Sequence, residues 1–303
     1  MKKALNIGIN NYPGSANDLQ GCVNDADDWA KRLQVLGFET EILVDKKATI
    51  ATVKNKMKNL ITSATAGDVV VVSYSGHGTN VYDTSGDEPD YYDEALYLYD
   101  GVLLDDDISD IIRQAQSDVS IVVILDSCFS GTATRLAKLN THIPRFIKTA
   151  DIPPTATKRR DFLSEDDMVE ILISGCSDNE YSYDAYLNNR YNGAFTYYAL
   201  SVMQDDQTYD SFFTALRKVL PSDEFPQTPQ LEGSSQNKSR QLFAPEMPSG
   251  VDPAPDEPDG PVEPDKQPWW KKLGQWIKKN WIVITISVIA VILYFFVCGK
   301  TGN

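Results

Sequence analysis

A thiol and an imidazole are the two groups in this sequence best placed to do chemistry together. Cys128 stands in Asp126-Ser127-Cys128-Phe129-Ser130-Gly131, directly after the apolar run Ile121–Leu125. His77 stands in Tyr74-Ser75-Gly76-His77-Gly78, directly after Val69–Val72. Each run is short and uninterrupted, the pattern of a strand buried on both faces, and each ends in small polar residues that turn. Open α/β sheets bind their ligands outside the carboxyl ends of the strands. Parallel, neighbouring strands would bring His77 and Cys128 out side by side on a rigid platform, the minimum for a cysteine nucleophile with its base. Taken alone, a cysteine behind an apolar run is more often a small core residue. The histidines weigh against that reading. The chain has two, and one of them is spent between glycines, where the backbone can be approached closely; the other, His142, lies in a stretch without pattern.

The elements that must hold this pair alternate in type, as a doubly wound α/β domain requires. Ala4–Asn10 reads as a first strand. Asp25–Leu36 reads as a helix, with Ala26, Trp29, Ala30 and Leu33 at spacings of three and four and Gly37 as its stop. Phe38–Val44, Asp68–Ser75, Ala95–Tyr99, Val119–Leu125 and Val169–Ser174 are further strands. Helices are expected over Thr49–Thr62, from about Ile108 to Ala115, over Gly193–Gln204 and over Asp210–Leu220. Two stretches break the rhythm. Thr132–Asp167 lacks clean periodicity, and loops of that length are functional or disordered more often than structural. Pro245–Pro268 holds eight prolines and seven acids, which cannot build a core and act as an extended spacer.

The paired motifs resemble those of the caspase-like cysteine peptidases, metacaspases above all. The likeness extends to Leu19-Gln20-Gly21-Cys22-Val23-Asn24-Asp25-Ala26, Ile173-Ser174-Gly175-Cys176, Gly193-Ala194-Phe195-Thr196 and Gln227-Thr228-Pro229-Gln230-Leu231. It covers roughly residues 4–243. It implies a three-layer fold with a central, mostly parallel sheet and helices on both faces. A peptidase domain would span 1–244, with a large part to about 131, an activation loop over 132–167 and a small part over 168–244. It also implies that Cys128 is the nucleophile and His77 the base and later acid, and the residue reading agrees. The backbone N–H groups of Gly78 and Cys128 are plausible donors to the developing oxyanion. By the same resemblance the specificity pocket matches Asp25, Ser75, Asp126 and Cys22. Two carboxylates facing one pocket favour a guanidinium or an ammonium, so cleavage after Arg or Lys is expected. A caspase-like scaffold that only binds partners, or a legumain-like hydrolase, would share much of this pattern.

The segment between His77 and the Cys128 strand is crowded with acids from Asp83 to Asp107. Such runs are ordinarily solvated, but hard oxygen ligands brought together also bind Ca²⁺. The resemblance implies calcium as an activator, with Asp93, Asp105 and Asp106 at ligand positions, although Arg135 stands where another acid is expected. No other cofactor is implied.

The formal net charge is −15, and six lysines with no acid follow Asp265, so the body is more acidic still. It would repel nucleic acid and attract cationic substrates or metal ions. Four well-separated cysteines suit a reducing compartment, and Met1-Lys2-Lys3 opens no signal peptide. Trp281–Cys298 is eighteen residues without a charge, enough for a short membrane span within the segment 269–303. Tryptophans at 269, 270, 276 and 281 would sit at the interface. Lysines at 271, 272, 278 and 279 would keep the peptidase body in the cytoplasm as a single-pass, tail-anchored protein. Finally, an enzyme that cuts after Arg or Lys has a substrate in its own long loop. Lys158-Arg159-Arg160 is expected to be a self-processing site that splits the chain near residue 160.

Overall fold

The positions of His77 and Cys128 follow from five strands that the apolar runs dictate. In the computed structural model, residues 1–82, 92–129, 142–147, 165–177 and 180–245 are described. All lie in one unit, Met1–Gly250. In chain order the elements are β1 (Lys2–Gly8), α1 (Cys22–Val35), β2 (Glu39–Val44), α2 (Ile50–Thr62), β3 (Val69–Ser75), β4 (Gly78–Tyr82), β5 (Tyr92–Leu98), β6 (Gly101–Leu104) and α3 (Asp105–Ile112). There follow β7 (Ser120–Asp126), β8 (Ile143–Pro144), β9 (Glu170–Ser174), β10 (Tyr183–Leu187), β11 (Arg190–Gly193), α4 (Ala194–Val202), α5 (Tyr209–Leu216), β12 (Gln230–Glu232) and α6 (Ser235–Lys238).

The central sheet runs β12-β9-β7-β3-β1-β2. Its five long strands are parallel, and β12 alone pairs antiparallel, with β9. Successive side chains of a strand point to opposite faces, so each apolar run feeds two cores at once. Val70, Val72, Ile121 and Val123 pack with Val53, Met57 and Ile61 of α2 and with Ile111 and Ile112 of α3. Val69, Val71, Val122 and Ile124 pack with Trp29 and Leu33 of α1, Phe195 and Ala199 of α4, and Phe212 and Leu216 of α5. The result is helix, sheet, helix. Burying one such side chain is worth about 1.5–3 kcal/mol, so the doubly covered β3 and β7 form a stiff base for the turns that follow them.

Several expectations shift. The first helix begins at Cys22, which puts Asp25 in its opening turn. The third begins at Asp105 rather than Ile108, with three acids in its first turn, where the helix dipole favours negative charge. The expected strand Ala95–Tyr99 appears as β5, but the two small antiparallel sheets, β4-β5-β6 and β11-β10-β8, were not expected, because their other strands carry no long apolar run. Inside the stretch 132–167, expected to be loop throughout, β8 pairs with β10 and Arg145 is fully buried. Lys158, Arg159 and Arg160, the acids from Asp83 to Asp90, the side chain of Asp93, residues 246–268 of the spacer and residues 269–303 lie outside the described residues. Among the described residues no helix is long and apolar enough to cross a membrane.

Candidate active site

Strands β3 and β7 pair in register from Val69↔Ser120 to Ser75↔Asp126. His77 and Cys128 therefore each lie two residues beyond the same rung. The contact between the two turns is backbone on backbone: a side chain at Gly78 would run into the carbonyl of Cys128, which is why a glycine follows the histidine. The His77 N–H donates to the Tyr12 hydroxyl at 3.0 Å, and its carbonyl accepts from the Tyr74 hydroxyl at 2.7 Å. Burial pushes both phenols well above their ordinary range, so they act as neutral clamps.

The imidazole lies with Nε2 2.8 Å from the carbonyl oxygen of Asn17. A carbonyl can only accept, so the ring proton sits on Nε2 and the Nδ1 lone pair is free. Nδ1 is buried and has no partner. Burial pulls the His77 pKa down to about 4, against a smaller upward pull from the Asn17 bond. The ring is thus neutral at ordinary pH, with its Nδ1 acceptor unused. The Cys128 thiol is fully buried and rests on Ser182, whose N–H lies 2.6 Å and whose carbonyl lies 3.3 Å from Sγ. A hydrogen bond with that thiol, together with burial, pushes the Cys176 thiol well up and keeps it protonated.

Beside these turns three carboxylates converge on one guanidinium. Arg145 Nη2 reaches Asp25 Oδ2 at 2.8 Å and Asp184 Oδ1 at 3.0 Å. Nη1 reaches Asp126 Oδ1 at 3.0 Å, the Ser75 hydroxyl at 2.7 Å and the Asp126 carbonyl at 3.2 Å. Taking such ions out of water costs several kcal/mol each, and mutual attraction repays it only with further hydrogen bonds. Here the backbone supplies them. Asp25 accepts from the Gly193 N–H at 2.9 Å, Asp126 from the Thr196 N–H at 2.9 Å and hydroxyl at 2.7 Å, and Asp184 from the N–H groups of Gln20 and Gly21 at 2.8 and 2.9 Å. Those amides belong to the opening turns of α1 and α4 or to the residues just before them, so two helix N-termini point positive ends at the acids. Burial pushes the Asp25 carboxyl up to about 6, and Arg145 is the strongest pull against that. The three acids thus hold their negative charge around one buried guanidinium.

The backbone around Arg145 is seated as well. Ile143 and Pro144 pair antiparallel with Asp184 and Tyr183 of β10. The Arg145 N–H donates to the Ser182 carbonyl at 2.9 Å. Its carbonyl oxygen accepts from the Gly78 N–H at 2.9 Å and the Cys128 N–H at 3.2 Å, and the Ile147 N–H donates to the Gly78 carbonyl at 3.0 Å. An extended peptide thus adds a strand to β10 and crosses between the two turns.

Of the residues singled out in the sequence, Asp25, Ser75 and Asp126 meet at the guanidinium, and Gly78 and Cys128 present N–H groups to one carbonyl. Cys22 lies buried at the start of α1, and burial pushes its thiol well up, so it is a neutral neighbour of the acids. Asp105 and Asp106 open α3. Among the described residues no group of three or more His, Cys, Asp or Glu side chains is placed to hold a metal ion. Sequence reasoning missed Asp184, Ser182, Asn17 and Arg145. Asn17 acts through its carbonyl, which leaves no mark in side-chain type, and Ser182 through its backbone and through a buried hydroxyl that donates to the Asp126 carboxylate. Asp184 stands in a strand that the Asn188-Asn189 turn announces, since both asparagines have positive φ and join Leu187 to Arg190 in a two-residue hairpin.

His77 and Cys128 thus follow adjacent parallel strands of an α/β sheet, beside two N–H groups that meet one carbonyl and a cluster of buried acids. The chain belongs to the caspase-domain peptidase family, whose model matches residues 1–240. It is 30% identical over 286 residues to metacaspase-1 of Scheffersomyces stipitis, covering 77% of this chain and 70% of that one. Metacaspase-7 of Arabidopsis thaliana is 40% identical over 141 residues, 43% of this chain and 35% of the relative. The crystal structure of a Geobacter sulfurreducens protein superposes with a TM-score of 0.65 at 30% identity, over 81% of this chain and 99% of that one. Caspase-1 of Spodoptera frugiperda shares the fold, with a TM-score of 0.52 at 14% identity over 77% of this chain and 86% of that one. The protein is a cysteine peptidase of the metacaspase type.

Proposed function

We propose that this peptidase cleaves polypeptides after arginine, and less well after lysine, with Cys128 as nucleophile and His77 as base. The observation that carries the reading is the seat of Arg145. A basic side chain fills the acidic cradle while its own carbonyl faces two N–H donors beside the thiol. A substrate arginine held in the same way would present its carbonyl carbon to Cys128. His77 Nδ1 takes the thiol proton, because Nε2 already holds its proton against Asn17, and a thiolate is the attacking form. The charge that builds on the carbonyl oxygen is met by the N–H groups of Gly78 and Cys128. His77 then gives its proton to the departing amine. Water hydrolyses the thioester by the reverse use of the same base.

Two features outside the site complete the proposal. Calcium acts as an activator through the acids of the 83–107 segment, a reading supported by their density alone. Residues 281–298, behind lysines at 271, 272, 278 and 279 and tryptophans at 269, 270 and 276, anchor the peptidase to a bilayer as a single-pass span with its body in the cytoplasm. A panel of matched fluorogenic peptides ending in Arg, Lys, Asp or Asn, each run with calcium and with a chelator, tests the reading. Hydrolysis confined to the basic peptides is expected. Preference for Asp or Asn overturns it, and rates unchanged by the chelator remove calcium.

A further inference from the structure

The residue that fills the cradle belongs to this chain, and more than its side chain is engaged. Any buried carbonyl needs a donor, so what matters is which donors this one meets. Here the Arg145 carbonyl is held by two N–H groups, of Gly78 at 2.9 Å and of Cys128 itself at 3.2 Å. The residues before it are docked too. Pro144 and Ile143 lie on β10, and the His142 ring stacks 4.8 Å from Phe225 with Nε2 3.3 Å from Glu224. The chain beyond continues along Gly78, where Phe146 forms a parallel bridge. Residues on both sides of one peptide bond are thus positioned as a peptidase positions the bond it cuts.

On the reading that the enzyme cuts after arginine, we infer that Arg145–Phe146 is its own first scissile bond, and that segment 142–147 blocks the site until this bond is cut. For the cut, Sγ of Cys128 leaves Ser182 by rotation about Cα–Cβ and bonds to the Arg145 carbonyl carbon. The C–N bond to Phe146 breaks, and the thiol proton passes through His77 to the departing amine. Water then displaces the sulfur, leaving Arg145 as a carboxylate, Phe146 as a new amino terminus and Cys128 as a thiol. The uncut segment is tethered, so it competes with any outside substrate at an effective concentration on the order of millimolar. Cleavage removes that competitor.

The test uses the purified full chain, sampled over time with calcium present and read by intact mass and amino-terminal sequencing. A fragment beginning at Phe146 is expected, formed at a rate independent of protein concentration and absent in Cys128→Ala. Hydrolysis of an Arg peptide should rise in step with the cut. Two variants separate cleavage from folding. Phe146→Pro keeps Arg145 in the cradle but blocks the bond, so the chain should fold, stay whole at 145–146 and remain slow on peptides. Arg145→Lys keeps the charge and should be cut more slowly. A chain that hydrolyses the Arg peptide fully with the 145–146 bond intact, for instance one cut at 158–160 instead, overturns the inference and leaves the specificity standing. A chain that cuts at 145–146 but prefers Asp peptides overturns the specificity instead. One that cuts neither the Arg peptide nor itself overturns both.

Discussion

Replacing the arginine of a peptide substrate by lysine, and then by citrulline, perturbs the cradle without touching the fold. On the proposed specificity Arg145 stands in for the substrate residue, and its two terminal nitrogens make five contacts between 2.7 and 3.2 Å. Those two nitrogens carry four N–H donors and an ammonium has three on one atom, so lysine forgoes at least one hydrogen bond and the two-pronged geometry while keeping its charge. Hydrogen bonds to charged groups are worth roughly 1.5–3 kcal/mol each. Water will restore part of the loss, so we expect kcat/KM to favour Arg over Lys by roughly 10- to 150-fold, about 1.4–3 kcal/mol. Citrulline keeps the shape of arginine but not its charge, leaving three buried carboxylates with no counter-ion. Breaking a buried pair costs about 3–5 kcal/mol, so its kcat/KM should fall on the order of 10²–10³-fold or more. The assay is initial-rate release of a coumarin leaving group from three peptides that differ at one residue, with enzyme already processed. Equal rates for Arg and Lys within a factor of about two, or citrulline within about tenfold of Arg, would refute the charge-fork argument.

Acid should weaken the fold through His77. The unfolded chain takes up a proton near the ordinary histidine pKa of about 6.5, while the buried ring resists until about 4. The His77 contribution is therefore complete above about 6.5 and is lost as pH drops through that window, by about 3 kcal/mol, while Asp25, pushed up to about 6, contributes in the opposite sense over part of it. The stability of the wild type relative to His77→Gln, from urea unfolding at pH 7 to 4, isolates the histidine and should fall by about that much. Asp184→Asn removes one carboxylate but keeps an acceptor for Gln20 or Gly21; we expect roughly a tenfold or greater loss in kcat/KM for Arg peptides, with a smaller effect on neutral ones, and equal losses would make Asp184 structural. Removing residues 269–303 should move the protein from the membrane pellet to the soluble fraction with activity retained, and a truncated form that still pellets with membranes would contradict the anchor.

Much of the frame was legible because buried parallel strands announce themselves. Val69–Val72 and Ile121–Leu125 could hardly sit anywhere but inside a sheet, and the turns behind them had to emerge at one edge. The long amphipathic helices were legible to within a few residues, and α3 was misplaced because its acidic start resembled a loop. Short strands were hidden because β10 and β11 read as YDAYL and RYNG, and their hairpin, though marked by two asparagines, carries little apolar periodicity. The cradle was half legible: Asp25 and Asp126 stood in motifs, whereas Asp184 meets them only through the fold. Arg145 was the least legible, since a single basic residue in an irregular stretch gives no sign that its side chain will be buried among acids.

The claim on which the rest depends is that Cys128 attacks a carbonyl whose residue is an arginine. A peptidyl-arginine chloromethyl ketone, whose carbon reports the attacking atom, can be compared with its aspartate counterpart on the processed enzyme by intact mass and peptide mapping. One adduct per chain is expected from the arginine reagent, located on Cys128 and much slowed in His77→Ala, and none from the aspartate reagent. Labelling of Cys22 or Cys176 with Cys128 unmodified, or equal labelling by the two reagents, would contradict it.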